Sequence, residues 1–122
     1  MTPQELGKKL VAFCKQGKNI EAIETLYSPE IVSLEALAMP GMQKEMHGVE
    51  AIKGKNKWWL ENHEIHSSQI EGPFPHGDRI AVFYKYDLTS KMTKKRFMME
   101  EVALYTVKSD KIVREEFFYS PE

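Results

Sequence analysis

Apolar side chains recur every three or four residues through the first half of the chain and at every second residue through the rest. Leu6, Leu10, Phe13 and Cys14 share one helical stripe. Ahead of them, Thr2, Pro3 and Glu5 supply an N-cap, a first-turn proline and a capping-box acid. The spacing predicts a helix ending near Gly17. Ile20, Ile23, Leu26 and Tyr27 mark a second helix, starting at Asn19 and stopped by Ser28-Pro29. IVSLEAL (31–37) reads as a short strand, and MPGMQKEMH (39–47), which has no period, as a loop. A third helix is predicted from Gly48 to about His63. Val49, Ile52, Asn56, Trp59, Leu60 and His63 fall on its inner face, and Lys53, Lys55 and Lys57 on a solvated outer face.

From residue 65 the period is two. IHSSQIEG (65–72) reads as a strand and PFPHGD (73–78) as a turn, followed by strands at 79–91, 95–107 and 111–119. Ser109 and Asp110 form a two-residue hairpin turn between the last two. Helix, helix, strand, helix and four strands make an α+β domain over residues 1–122, with helices packed on one face of an antiparallel sheet.

Composition narrows the class without choosing a function. The 17 basic and 18 acidic side chains nearly cancel, which argues against a nucleic-acid surface. The two basic stretches, KGKNK (53–57) and KMTKKR (91–96), are interrupted and offset by nearby acids. No apolar run approaches the roughly 20 residues of a membrane span, and the N-terminus does not read as a secretory leader. Cys14 is the single cysteine; it fits a core position and a reducing cytoplasm. His63 and His66 stand three apart rather than in the four-residue spacing of a helical zinc motif, so no metal is expected.

Three stretches carry a resemblance: IETLYSPEIVSLEA, HGVEAIKG and VALYTVKSDKIVREEFFY. Together they resemble the nuclear-transport-factor-2-like superfamily, and within it the SnoaL-like group that includes polyketide cyclases. The resemblance implies a cone-shaped α+β barrel, in which three N-terminal helices pack on a curved, mainly antiparallel sheet around a pocket. It also implies a homodimer formed through the sheet, and acid–base chemistry with no metal or organic cofactor. Members of the superfamily include isomerases, cyclases, dehydratases and non-catalytic binding modules, so fold does not decide activity.

Chemistry centres on Glu35, an acid set into a strand where acids are disfavoured. Alternation puts Ile31, Ser33 and Glu35 on one face, and the resemblance to ketosteroid isomerases turns that face inward, with Glu35 at the general-base position. Desolvation there would raise its pKa and improve it as a base. The isomerase oxyanion-hole positions are Val11 and Val102 here, so steroid-type isomerisation is not expected by that route. A regular hairpin sets Val102 opposite Phe117, Leu104 opposite Glu115 and Glu100 opposite Tyr119. The resemblance turns Phe117 and Tyr119 toward the cavity, with Glu100 beside them. Glu35, Glu100, His66 and Tyr119 are therefore the candidate catalytic groups. Trp59, Tyr84, Tyr86, Met98, Val102 and Phe117 are the candidate contacts for a small apolar or aromatic ligand. A binding protein without turnover is the alternative.

Overall fold

The computed structural model describes residues 1–38 and 41–120. Three helices, α1 (Pro3–Lys15), α2 (Asn19–Leu26) and α3 (Val49–Asn62), pack on a six-stranded sheet. Its strands are β1 (Tyr27–Leu34), β2 (Glu45–His47), β3 (His63–His76), β4 (Arg79–Ser90), β5 (Arg96–Lys108) and β6 (Lys111–Phe118). They lie in the order β2-β1-β6-β5-β4-β3, and only the β1–β6 pair is parallel. The α+β class and the mainly antiparallel sheet are as expected. Among the described residues, no helix is long and apolar enough to cross a membrane.

The helices form where the pattern places them. Thr2 caps α1 by accepting the backbone N–H of Glu5 at 3.1 Å. Leu6 and Leu10 on its stripe are fully buried over β3 and β4, and each such side chain contributes about 1.5–3 kcal/mol through burial. Gly7 makes the approach possible. A Cβ there would sit 2.8 Å from Pro73 Cβ and 3.0 Å from Ile80. α3 touches β1 and β2 at one sheet edge and β3 at the other. It therefore covers the open side of the curved sheet.

Strand boundaries differ from the sequence reading in three places. β1 starts at Tyr27 and passes through Ser28-Pro29, where its register with β6 shifts; it ends at Leu34, leaving Glu35 just beyond. β3 runs on through the two prolines to His76, with a register shift between Glu71 and Phe74. Bulges are among the few places a sheet tolerates proline. The short strand β2 occupies the end of the predicted 39–47 loop; Met39 and Pro40 of that loop lie outside the described residues.

The β5–β6 hairpin carries the most consequential departure. Ser109 and Asp110 both have positive φ, 52° and 63°, as a tight primed turn requires. Lys108 and Val107 pair with Lys111 and Ile112 as expected. Thr106 then pairs with Arg114, so one extra residue in β6 shifts every later pair. Phe117 faces Ala103 and Phe118 faces Val102. This single bulge reverses which face of β5 belongs with Phe117.

Candidate functional site

Ile52, Lys55, Asn56 and Trp59 are three and four residues apart and share the inner face of α3. Lys55 is buried rather than part of a solvated lysine face, at 6% exposure. Its Nζ lies 3.0 Å from Glu35 Oε1 and 3.8 Å from Glu115 Oε1, donates to Ser33 Oγ at 2.6 Å, and sits 4.9 Å from the Phe117 ring centroid.

Both acids have further partners. The Ser33 hydroxyl donates to Glu115 Oε1 at 2.8 Å, and the Tyr27 hydroxyl donates to Glu115 Oε2. The Tyr119 hydroxyl donates to Glu35 Oε2 at 3.0 Å. The backbone N–H of Glu35 is tied to the Lys44 carbonyl at 2.8 Å, which anchors the residue beyond the end of β1. Buried charges persist only when paired and hydrogen-bonded, and this cluster meets that condition. Burial is the largest influence on Glu115 and pushes its carboxyl upward, against the opposing pull of Lys55, Tyr27 and Ser33.

The cluster forms the polar end of a cavity of about 110 Å³ between helices and sheet. Leu10, Ile23 and Ile52 make its apolar wall, and Tyr27, Trp59, Tyr84, Tyr86, Tyr105 and Phe117 its aromatic one. Trp59 packs on Tyr86 with centroids 5.4 Å apart, and Tyr84 stacks on Tyr86 at 6.1 Å. The hydroxyls of Tyr84 and Tyr105 are 2.8 Å apart. Burial drives both hydroxyls well above the usual tyrosine range, so they stay neutral. Cys14 lines the same wall, and burial pushes its thiol up to about 11, which leaves it unreactive at neutral pH.

Glu101 also faces the cavity. Its carboxyl is pushed up to about 8, first by burial and then by the charge of Glu35, against an opposing influence from Lys55. It therefore holds its proton at neutral pH. Asn56 presents a buried Oδ1 that has no hydrogen-bond partner among the described residues.

The residues singled out from sequence divide between the two faces of the sheet. Glu35, Trp59, Tyr84, Tyr86 and Phe117 line the cavity, and Tyr119 reaches it through its bond to Glu35. Glu100 does not. It points outward and pairs with Lys85 at 3.6 Å, while its neighbour Glu101 takes the inner position. Val102 and Met98 are likewise outward, 40% and 50% exposed, and Met99 lines the cavity in place of Met98. The β6 bulge accounts for all three reversals. His66 is exposed on β3, with Nε2 2.7 Å from Thr89 Oγ1 and away from the cavity.

Three groups escaped the sequence reading. Lys55 stands three residues after Ile52 and four before Trp59, so its spacing signalled the inner face, but its charge outweighed the signal. Glu115 shares a strand face with Phe117, a placement alternation alone could supply. Glu101 needed the bulge to be known.

The chain matches the SnoaL-like domain family over residues 1–119. It is 44% identical to a Mesorhizobium loti protein that bears the provisional name SnoaL-like polyketide cyclase, with carbohydrate phosphatase in brackets; the two superpose with a TM-score of 0.91 over 98% of this chain and 100% of that one. Two more distant structures share the fold. A nuclear-transport-factor-2-like protein from Burkholderia thailandensis has a TM-score of 0.82 at 18% identity, covering 98% of this chain and 92% of that one. A Xanthomonas campestris protein with a cystatin-like fold has a TM-score of 0.80 at 14% identity, covering 99% and 92%. No curated protein has significant similarity to the sequence. A match across nearly the whole chain, on a fold that its neighbours share, identifies the chain as a member of the SnoaL-like family.

Proposed function

We propose that this SnoaL-like protein binds a small apolar or aromatic molecule in the cavity and acts on it by cofactor-free acid–base chemistry, of the isomerase, cyclase or dehydratase kind. One observation carries the reading: Glu101, a carboxyl that keeps its proton at neutral pH, shares a cavity with Glu35, a carboxylate ion-paired to Lys55. A carboxyl that burial keeps protonated, beside a second carboxyl held by a lysine, supplies an acid and a base. A substrate proton would pass to Glu35 while Glu101 gives its proton to a second substrate atom. In an isomerisation or a cyclisation the substrate then keeps its composition, in a dehydration the protonated hydroxyl leaves as water, and exchange with solvent resets the pair. Tyr119 and Lys55 hold Glu35 in place.

Binding without turnover is favoured by a different observation. Both oxygens of Glu35 are already engaged, one by the lysine and one by the Tyr119 hydroxyl, and so saturated a carboxylate is better at orienting a ligand than at accepting a proton. A thermal-shift screen of small aromatic compounds separates the readings, because a ligand raises apparent stability by mass action. Compounds that raise Tm should rearrange, or exchange protons with heavy water, when followed by NMR. Glu101→Gln should stop that chemistry. Hits that stay chemically unchanged leave binding alone, and a library without hits removes the ligand.

The proposal includes a homodimer formed through the outer sheet face. Phe83, Val102 and Phe118 form one cross-strand row there, with Val102 and Phe118 40% and 53% exposed. Contiguous exposed apolar rows of this kind mark contact surfaces. Light scattering at micromolar concentration should give a dimeric mass, reduced to the monomer by Val102→Glu; a monomeric parent protein would refute the dimer.

A further inference from the structure

We propose that the ligand is a small organic cation, an aromatic or apolar amine charged at neutral pH. This rests on the reading of the cavity as a binding site and specifies the chemistry of what enters it. Glu35, Glu101 and Glu115 line the cavity against one ammonium, that of Lys55. Lys55 is committed to Glu35, Ser33 and Glu115. Among the described residues, no cation lies within ion-pairing distance of Glu101. An anionic head group would add a charge to a site that already has more carboxyls than cations. A cation supplies the missing partner.

Two further observations point the same way. The Oδ1 of Asn56 is a buried acceptor without a donor on the same wall. An ammonium brings hydrogen-bond donors, whereas a carboxylate brings acceptors only. The aromatic surface also suits a positive charge, since ring faces attract cations; the Lys55 ammonium already lies over Phe117 within the cavity. Size limits the choice. An apolar cavity of about 150 Å³ holds a benzene ring, so about 110 Å³ admits nothing larger than a single small ring or a short branched chain.

Binding of a cation should also move a proton. Glu101 is faced by Glu35 beyond β1, Lys55 on α3, Tyr86 on β4, and Glu115 and Tyr119 near the end of the chain. Its carboxyl, pushed up to about 8, holds its proton at neutral pH. An ammonium beside it favours the carboxylate, so binding at pH 7 should release a proton to buffer.

The test uses three molecules of one shape: benzylamine, benzyl alcohol and benzoate. Each is titrated calorimetrically into the full chain at pH 7, in two buffers of different ionisation heat. Benzylamine should bind at least about tenfold more tightly than the other two, a difference of about 1.4 kcal/mol, and should release protons. Glu101→Gln should remove that preference and the proton release. If that variant does not fold by circular dichroism, Asn56→Leu is the second probe, and it should weaken benzylamine more than benzyl alcohol, which has one donor, and should not weaken benzoate, which has none. Preference for benzoate, or equal binding of all three, overturns the cation and leaves the cavity as a ligand site. Failure of all three to bind overturns both readings.

Discussion

The two faces of the β4–β5 ladder carry the same kinds of charged side chain in opposite physical settings. On the outer face, Lys85 and Glu100 pair across the strands at 3.6 Å, with side chains 39% and 60% exposed. Water screens that attraction, and such pairs contribute about 0–1 kcal/mol. On the inner face, Glu101 looks onto Lys55, Glu35 and Glu115, whose own side chains are no more than 7% exposed. In low dielectric both the attraction and the cost of desolvation are large, so stability depends on whether the set is complete. The same residue types are almost interchangeable outside and interdependent inside.

Lys55→Met tests the difference most severely. It leaves Glu35 and Glu115 buried without their cation and should cost about 3–5 kcal/mol of unfolding free energy, read from urea denaturation. A loss below about 1 kcal/mol would mean that the inner cluster behaves like the outer pair. A smaller effect should appear with pH. The folded Glu101 carboxyl sits at about 8 against an ordinary 4.5. Between those values the folded chain holds a proton that the unfolded chain has lost. Its contribution is complete below about 4.5 and disappears as pH rises through about 8. Burial shifts Glu115 in the same direction. Urea midpoints should therefore fall from pH 5 to pH 8, less steeply in Glu101→Gln, and a midpoint that rises across this window would contradict the assignment. The smallest effect belongs outside: Glu100→Gln should change stability by less than about 1 kcal/mol, since it disturbs only the exposed pair with Lys85.

Much of this arrangement was legible in the residues. The caps and stripes of α1 and α2 are local properties, set by spacing and by hydrogen bonds within three or four residues. So is the turn at Ser109-Asp110. Ile31, Ser33 and Glu35 share a face because strand alternation requires it, and Ser33 and Glu35 do meet the same lysine. The aromatic wall followed from alternation along β4, which turns Tyr84 and Tyr86 inward together.

The errors have two physical sources. An isolated ammonium is expensive to bury, which favours a solvated Lys55, yet the cost is offset by Glu35 and Glu115, residues twenty and sixty positions away in the chain. A regular hairpin puts Glu100, Val102 and Met98 on the cavity side, and one bulge in β6 reverses the face. No local pattern in KIVR (111–114) announces that extra residue.

The sequence by itself determined the α+β class and the order of every element but β2, because periodicity and capping act over a few residues, and the family likeness turned the Glu35 face inward. Only the tertiary structure decided which lysine is buried, which of two adjacent glutamates faces the cavity, and that Glu35 arrives already paired. Those outcomes depend on strand register and on compensation between distant charges. Both are settled when the chain closes on itself.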